Sequence, residues 1–129
     1  TPLMSFGNLG GQVTQLVLTC RTPESGAVAI ARGDALALAG SYRVTNEADA
    51  GDPVFGVALG DASSNNAVLP VLVRGVALFA YTGDAPAPGG GAGVVFSALP
   101  GVVAAPVSGN GAGQVVSVNT TAHTVEVLL

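Results

Sequence analysis

The composition and charge of the chain exclude several kinds of partner. Its 129 residues contain four basic side chains, all arginine, and carry a net charge of −4. Nucleic acid and anionic membrane surfaces are therefore excluded as partners, because both are bound through clusters of basic residues. Only 9% of the residues are charged, well below the roughly quarter to third that is usual for a soluble surface, so we expect partners to cover part of this one.

The amino-terminal residues 1–12 predict an arm ahead of the first strand. They carry Pro2, Leu3, Met4 and Phe6 without any periodic pattern. A frayed tail and a segment docked onto a neighbour both remain open, although frayed tails are usually polar. The segment lacks the basic start and apolar core of a signal peptide, so nothing in it is expected to direct export. We expect residues 13–129 to form a single β domain.

The remaining residues predict many short strands joined by tight turns, because Gly and Pro recur between short apolar runs. No run is long and uninterrupted enough to span a bilayer. Cys20 is the only cysteine, which excludes an intramolecular disulfide and predicts a small buried side chain. Strands are expected at 13–20, 27–31, 35–39, 42–45, within 54–60, at 69–74 and 76–81, twice within 94–107, and at 114–119 and 124–129.

The longest apolar run, residues 67–81, is the centre of the predicted fold. Gly75 predicts a sharp corner between two strands of this run. Arg74 is its only charge and is expected to point outward or to pair with a carboxylate. At Gly56 we expect a bend or a close approach of two backbones. The fold class is therefore mainly β: a small, single-domain, barrel-like fold of short strands with an extended amino-terminal arm.

Three loops resemble functional motifs but favour ordinary turns. Arg32-Gly33-Asp34 matches the tripeptide that integrins bind, yet Gly-Asp between two strands is a common turn pair. Residues 46–53 are acidic without the spacing of a calcium loop, so we expect a solvated loop. Residues 82–93 are rich in glycine but lack both phosphate-binding patterns, which predicts a flexible surface loop.

Catalysis, a metal site and a cofactor are not expected. His123 is the only histidine, and it lies beside a predicted hairpin turn, with no nucleophile motif to accompany it. By strand alternation Glu126 would lie on the opposite face from His123, which disfavours a shared metal site. Paired carboxylates for glycoside hydrolysis remain open, and a small hydrolase using His123 is the weakest of the alternatives.

The succession GAVAIARGDALAL, PVFGVALGDA, AVLPVLVRGVALFAY, VVFSALPGVVAAP and VEVLL resembles the capsid decoration, or cementing, proteins of tailed bacteriophages, of the lambda-like head decoration family. The resemblance spans residues 26–129. It implies a β-tulip domain without catalytic residues or cofactors, which forms homotrimers on the outer capsid surface of a virion assembled in the host cytoplasm. It further implies that the arm, through Pro2, Leu3, Met4 and Phe6, binds the major capsid protein.

The function expected from the sequence is therefore that of a structural virion protein, not an enzyme. It would bind the capsid as an oligomer and cement neighbouring major capsid protein subunits against the pressure of packaged DNA. The alternative is a carbohydrate- or cell-surface-binding β module displayed on a virion, for which the loops at 46–53 and 82–93 would supply the contacts.

Overall fold

The computed structural model describes residues 15–89 and 92–129 of the chain. Within them the protein is all β, with no helix, and the predicted barrel-like fold of short strands is confirmed. The predicted arm over residues 1–12 lies outside the described residues. The strands are β1 (Leu16–Arg21), β2 (Ala35–Gly40), β3 (Arg43–Thr45), β4 (Gly56–Ala58), β5 (Val68–Arg74), β6 (Val76–Ala80), β7 (Val95–Phe96), β8 (Val103–Ala104), β9 (Gln114–Asn119) and β10 (Thr124–Leu128).

Five strands form a closed barrel in the order β1, β3, β2, β4, β5, with β5 pairing back onto β1. In this antiparallel β1–β5 pair, Thr19 lies opposite Pro70 and Arg21 opposite Val68. Successive side chains point to opposite faces of a strand. Cys20 therefore points inward and is 1% exposed, whereas Thr19 and Arg21 point outward into solvent. Because the barrel is closed, its strands leave no long free edge.

The chain leaves the barrel at the predicted corner. β5 ends at Arg74, β6 begins at Val76, and Gly75 between them has a φ of +130°, a conformation that side chains rarely adopt. Of the two predicted placements of Arg74, pointing outward or pairing with a carboxylate, the structure shows the first. Its guanidinium donates to the carbonyl of Val73 at 2.8 Å.

Two smaller sheets follow. β6, β10 and β9 form a three-stranded antiparallel sheet with β10 in the centre, and β9 and β10 are the hairpin predicted for the end of the chain. β7 and β8 form a short hairpin, also as predicted. Gly101, with a φ of +71°, lies in the turn between them.

The apolar side chains form two cores. The first lies inside the barrel and includes Leu36, Val44, Leu69 and Val71. The second lies between the barrel and the smaller sheets: Ala35, Ala37, Val57 and Leu72 come from barrel strands, and Phe79, Phe96, Val103, Val125 and Val127 come from the sheets. The barrel strands thus bury side chains on both faces, which explains why their sequences are nearly continuous apolar runs.

One predicted strand is wrong. Residues 27–31 form no strand, and only Ile30 makes an isolated bridge, to Ala62. The apolar residues in this stretch are mostly alanine. Ile30 is buried in the barrel core at 4% exposure, and Val28 packs partly against the same core. The segment is therefore a loop that two apolar side chains hold against the barrel core.

Candidate binding surfaces

The outward-facing side of the three-stranded sheet carries several exposed apolar side chains. Val76 lies opposite Leu128 and Leu78 opposite Glu126, so these four side chains share one face. Leu78 is 57% exposed and Leu128 is 44% exposed. An antiparallel sheet with one covered face normally places polar residues on the other. We call the outward side chains of β6, β9 and β10 the sheet face: the apolar Val76, Leu78, Ala80, Val116 and Leu128, and the polar Gln114, Ser117, Asn119, Thr124 and Glu126.

A β-bulge in β9 enlarges the sheet face. The register shifts between Glu126 and Val127, so that Ser117 and Val115 have partners on β10 while Val116 is an extra residue. A bulge of this kind can turn a side chain toward the opposite face of the sheet. Val115 points into the core at 3% exposure, whereas Val116 is 48% exposed.

The sheet face contains a single charged side chain, which is already hydrogen-bonded. Glu126 is the only charged residue of β6, β9 and β10. Its Oε1 accepts a hydrogen bond from the Ser117 hydroxyl at 2.6 Å, and the side chain is half-buried. A carboxylate that keeps a hydrogen bond is less costly to remove from water. The face can therefore be covered by a partner at a modest desolvation cost.

A second surface with exposed apolar side chains, which the described residues leave uncovered, lies on the barrel. The outward side chains of β1 and β5 include Val68, which is 62% exposed, and Val17, which is 43% exposed. Thr19 and Pro70 lie opposite each other in the pair and are also exposed. We call this surface the barrel face: Val17, Thr19, Arg21, Val68 and Pro70, with Arg74 at its end.

The two faces carry opposite charge. The only charged residues of β1 and β5 are Arg21 and Arg74, and both side chains are exposed. The only charged residue of the sheet strands is Glu126. Among the described residues, each guanidinium gives one hydrogen bond to a backbone carbonyl, of Asn66 for Arg21 and of Val73 for Arg74. An arginine has five donors in all. Both arginines can therefore still bind a carboxylate.

The polar end of the barrel is bonded within the chain. Arg43 donates to the Thr22 carbonyl at 2.8 Å, to the Asn66 side chain at 2.7 Å and to Glu24 at 3.0 Å, the last forming a salt bridge. Asn65 ties the neighbouring loop by donating to the Pro23 carbonyl at 3.0 Å. These contacts brace the loops at residues 22–26 and 63–67, and they use most of the donors of Arg43.

The Arg-Gly-Asp tripeptide is built into the fold as a turn. The Asp34 carboxylate accepts hydrogen bonds from the Ala31 backbone at 2.9 Å and from the Asn46 amide at 2.9 Å. Gly33 has a φ of +93°. The aspartate is therefore occupied within the chain, as the turn interpretation predicts.

The predicted acidic loop is exposed at Glu47 and Asp49 but not at its first residue. Asn46 is 6% exposed and also donates to the Ala29 carbonyl at 2.8 Å. Its sequence neighbours are polar, so nothing in the sequence marked this amide as buried.

His123 lies in the turn between β9 and β10 and is exposed, as predicted. Its φ is +57°, and its ring stacks on Tyr81 with ring centroids 5.4 Å apart. Its carbonyl accepts a hydrogen bond from the Tyr81 backbone at 3.0 Å. No group of three or more metal-ligating side chains occurs within residues 15–89 and 92–129. In these residues His123 therefore has a stacking contact and no metal-ligating cluster around it.

Cys20 is buried in the barrel core, as predicted. Burial raises the pKa of its thiol above the ordinary value, because the thiolate would lose its hydration.

The predicted arm residues Pro2, Leu3, Met4 and Phe6 lie outside the described residues. The sheet face was not predicted from the sequence. Its signal was available in β6, where Val76, Leu78 and Ala80 are apolar at every second position, although an exposed strand side is normally polar.

No protein-family model matches this chain, and no curated protein matches it either. In the described part of the chain, no helix has the length and hydrophobicity to cross a membrane.

Proposed function

We propose that this chain is a capsid decoration protein of a tailed bacteriophage, which binds the outer capsid surface as a homotrimer and cements neighbouring major capsid protein subunits. The observation that carries the proposal is a sheet with apolar side chains on both faces, one of which the described residues leave uncovered. Contiguous apolar surface of this kind marks an interaction site with another protein. The resemblance over residues 26–129 implies that the proteins bound are further copies of this chain and the major capsid protein.

The arm would supply the contact with the capsid. Residues 1–12 precede β1, which begins beside the corner at Gly75. Burying side chains such as Leu3 and Phe6 contributes about 1.5–3 kcal/mol each before ordering costs. Three arms on one trimer bind together at high effective concentration, so weak individual contacts give a stable clamp. A clamp that spans neighbouring capsid subunits resists their separation.

The test is co-sedimentation with capsids, prepared without outer decoration, of the phage that encodes the chain. The full chain is expected to sediment with them. A deletion of residues 1–12 is expected to abolish binding while leaving the denaturant unfolding curve unchanged. Leu3→Ala with Phe6→Ala should weaken binding strongly, and Asn8→Ala in the same arm is the matched control.

The outcomes separate the parts of the proposal. A full chain that stays in the supernatant at all concentrations contradicts the capsid function. A deletion variant that binds as well as the full chain leaves the function standing and removes the arm from it.

A carbohydrate-binding module is the second candidate. Tyr42 is 65% exposed and has a φ of +55°, a strained conformation for a bulky residue that is often associated with function. An exposed aromatic ring offers a flat apolar surface on which a sugar ring can stack. A glycan array that gives no binding above a Tyr42→Ala control would remove this candidate.

A further inference from the structure

We infer that copies of this chain associate head to tail, with the sheet face of one copy packed on the barrel face of the next. The inference rests on the homotrimer of the proposed function and specifies the surfaces that form it. It follows from three features of the described residues: two separate apolar faces, their opposite charges, and the unpaired edge of β9.

Two different faces favour a head-to-tail contact. An interface that uses one patch twice is isologous and closes after two copies, whereas a ring of three needs two distinct patches that fit each other. The most exposed of the large apolar side chains is Leu78 on the sheet face and Val68 on the barrel face. The two side chains lie on different sheets of the molecule. Each copy can therefore offer one face to each of two neighbours.

Charge favours a contact between unlike faces over a contact between like faces. Two sheet faces would bring Glu126 against Glu126, and two barrel faces would bring Arg21 and Arg74 against the same residues. Like charges brought together in a dehydrated interface disfavour the contact, while opposite charges fix its register. The sheet face on the barrel face places the carboxylate of Glu126 against a surface with two arginines and no acid on its strands.

The edge of β9 adds a further site for the neighbouring copy. In the described residues β9 pairs only with β10, so one side of the strand has free backbone groups. Its sequence QVVSVN has neither charge nor proline, the devices that normally protect an edge from pairing with another chain. An edge left unprotected is consistent with a partner that covers it.

The test uses two variants that each block one face, measured by light scattering. Leu78→Arg blocks the sheet face and Val68→Arg blocks the barrel face. Each variant alone is expected to be monomeric at concentrations at which the unaltered chain is trimeric. An equimolar mixture is expected to form a one-to-one pair and nothing larger, because the free barrel face of Leu78→Arg can accept the free sheet face of Val68→Arg.

Two control variants place the same arginine elsewhere. Val107 is 103% exposed and Leu99 is 53% exposed, and both lie outside the two faces. Val107→Arg and Leu99→Arg should remain trimeric. Since both target positions are more than half exposed, the unfolding curves of the blocked variants should match that of the unaltered chain. If either arginine variant fails to fold, Leu78→Ser and Val68→Ser carry the same comparison.

A charge change tests the register. Glu126→Lys is expected to weaken association about tenfold or more, because it places a cation against Arg21 and Arg74. Asp84→Lys makes the same charge change in the loop after β6, where the side chain is exposed, and should leave association unchanged.

The inference is overturned if either blocked variant stays trimeric, or if the folded monomers do not pair on mixing. These results do not involve the capsid. If the chain sediments with capsids but fails the mixing test, the proposed function stands and the head-to-tail assembly is wrong. If the chain passes the mixing test but does not bind capsids, the assembly stands and the capsid function is wrong.

Discussion

The two sides of the three-stranded sheet both carry large apolar side chains, but their surroundings differ. On the inner side, Phe79, Val125 and Val127 are each at most 1% exposed. On the outer side, Leu78 and Leu128 in the same strands are 57% and 44% exposed and lie among polar side chains. Only the inner side packs on the barrel. The difference separates two uses of apolar surface, since the inner side stabilises the fold and the outer side remains for a partner.

The largest loss of stability should come from shortening a large side chain on the inner side of the sheet. Phe79→Ala removes the only phenylalanine of β6 from a fully buried position and should lower the free energy of unfolding by about 3–5 kcal/mol. Leu78→Ala, one residue away in the same strand, should cost less than about 0.5 kcal/mol. Urea unfolding of the two variants under conditions where both are monomeric makes the measurement. Equal losses of stability in the two variants would contradict the conclusion that only the inner side stabilises the fold.

A close backbone contact at Gly113 offers a second way to disrupt the packing of the three-stranded sheet. Gly113 precedes β9 with a φ of +64°, and a Cβ there would lie 2.5 Å from the Leu128 carbonyl oxygen and 2.7 Å from Val127 Cγ1. Gly113→Ala should therefore cost about 1–3 kcal/mol of stability. Gly109 has a nearly equal φ of +69° and open space around it, so Gly109→Ala reports the backbone strain alone. If the two variants lose the same stability, the packing of β9 on β10 is looser than described.

The buried amide of Asn46 tests whether the loops depend on internal polar contacts. Asn46→Ala removes the donor to Ala29 and Asp34 and leaves a partly buried carboxylate with one bond fewer. The expected loss is about 1–3 kcal/mol. Asn65→Ala, whose amide donates at an exposed position, should cost less, and a larger loss there than at Asn46 would contradict the assignment.

Cys20 should show that the barrel core is closed to solvent. Its raised pKa and 1% exposure predict slow alkylation of the thiol in the folded protein and rapid alkylation in denaturant. Because the folded-state pKa lies above the unfolded one, the stability that this thiol contributes is present below the unfolded pKa and is lost as the pH rises through the folded value. The contribution should disappear in Cys20→Ala. Rapid alkylation of the native protein would contradict the closed core.

The smallest effect should come from the polar pair of the outer side. Ser117→Ala removes one exposed hydrogen bond to Glu126 and should change stability by less than about 0.5 kcal/mol. A loss above about 1 kcal/mol would mean that the outer side stabilises the fold after all.

The sequence predicts those features of the fold that depend on neighbouring residues. Gly75 marked the corner between β5 and β6, and the Pro100–Gly101 turn marked the β7–β8 hairpin, because turn chemistry is local. Closure of the barrel depends on β1 pairing with β5, some fifty residues away along the chain, and no local pattern encodes it. The same limit explains residues 27–31, where β propensity predicted a strand but only Ile30 makes a bridge, to Ala62.

The candidate surfaces were predictable only in part. The low charged fraction indicated covered surface but not where it lies. Locating the sheet face required the register that puts Val76 opposite Leu128 and the bulge that turns Val116 outward. The barrel face required knowing that β1 and β5 are neighbours, so that Arg21 and Val68 meet.

The most direct test of the account is the solution mass of the unaltered chain by light scattering over a range of concentrations. A trimer is expected, because the two faces that residues 15–89 and 92–129 leave exposed in a single copy would be covered by neighbouring copies in solution. A chain that stays monomeric at every concentration would contradict it, since both faces would then remain in water.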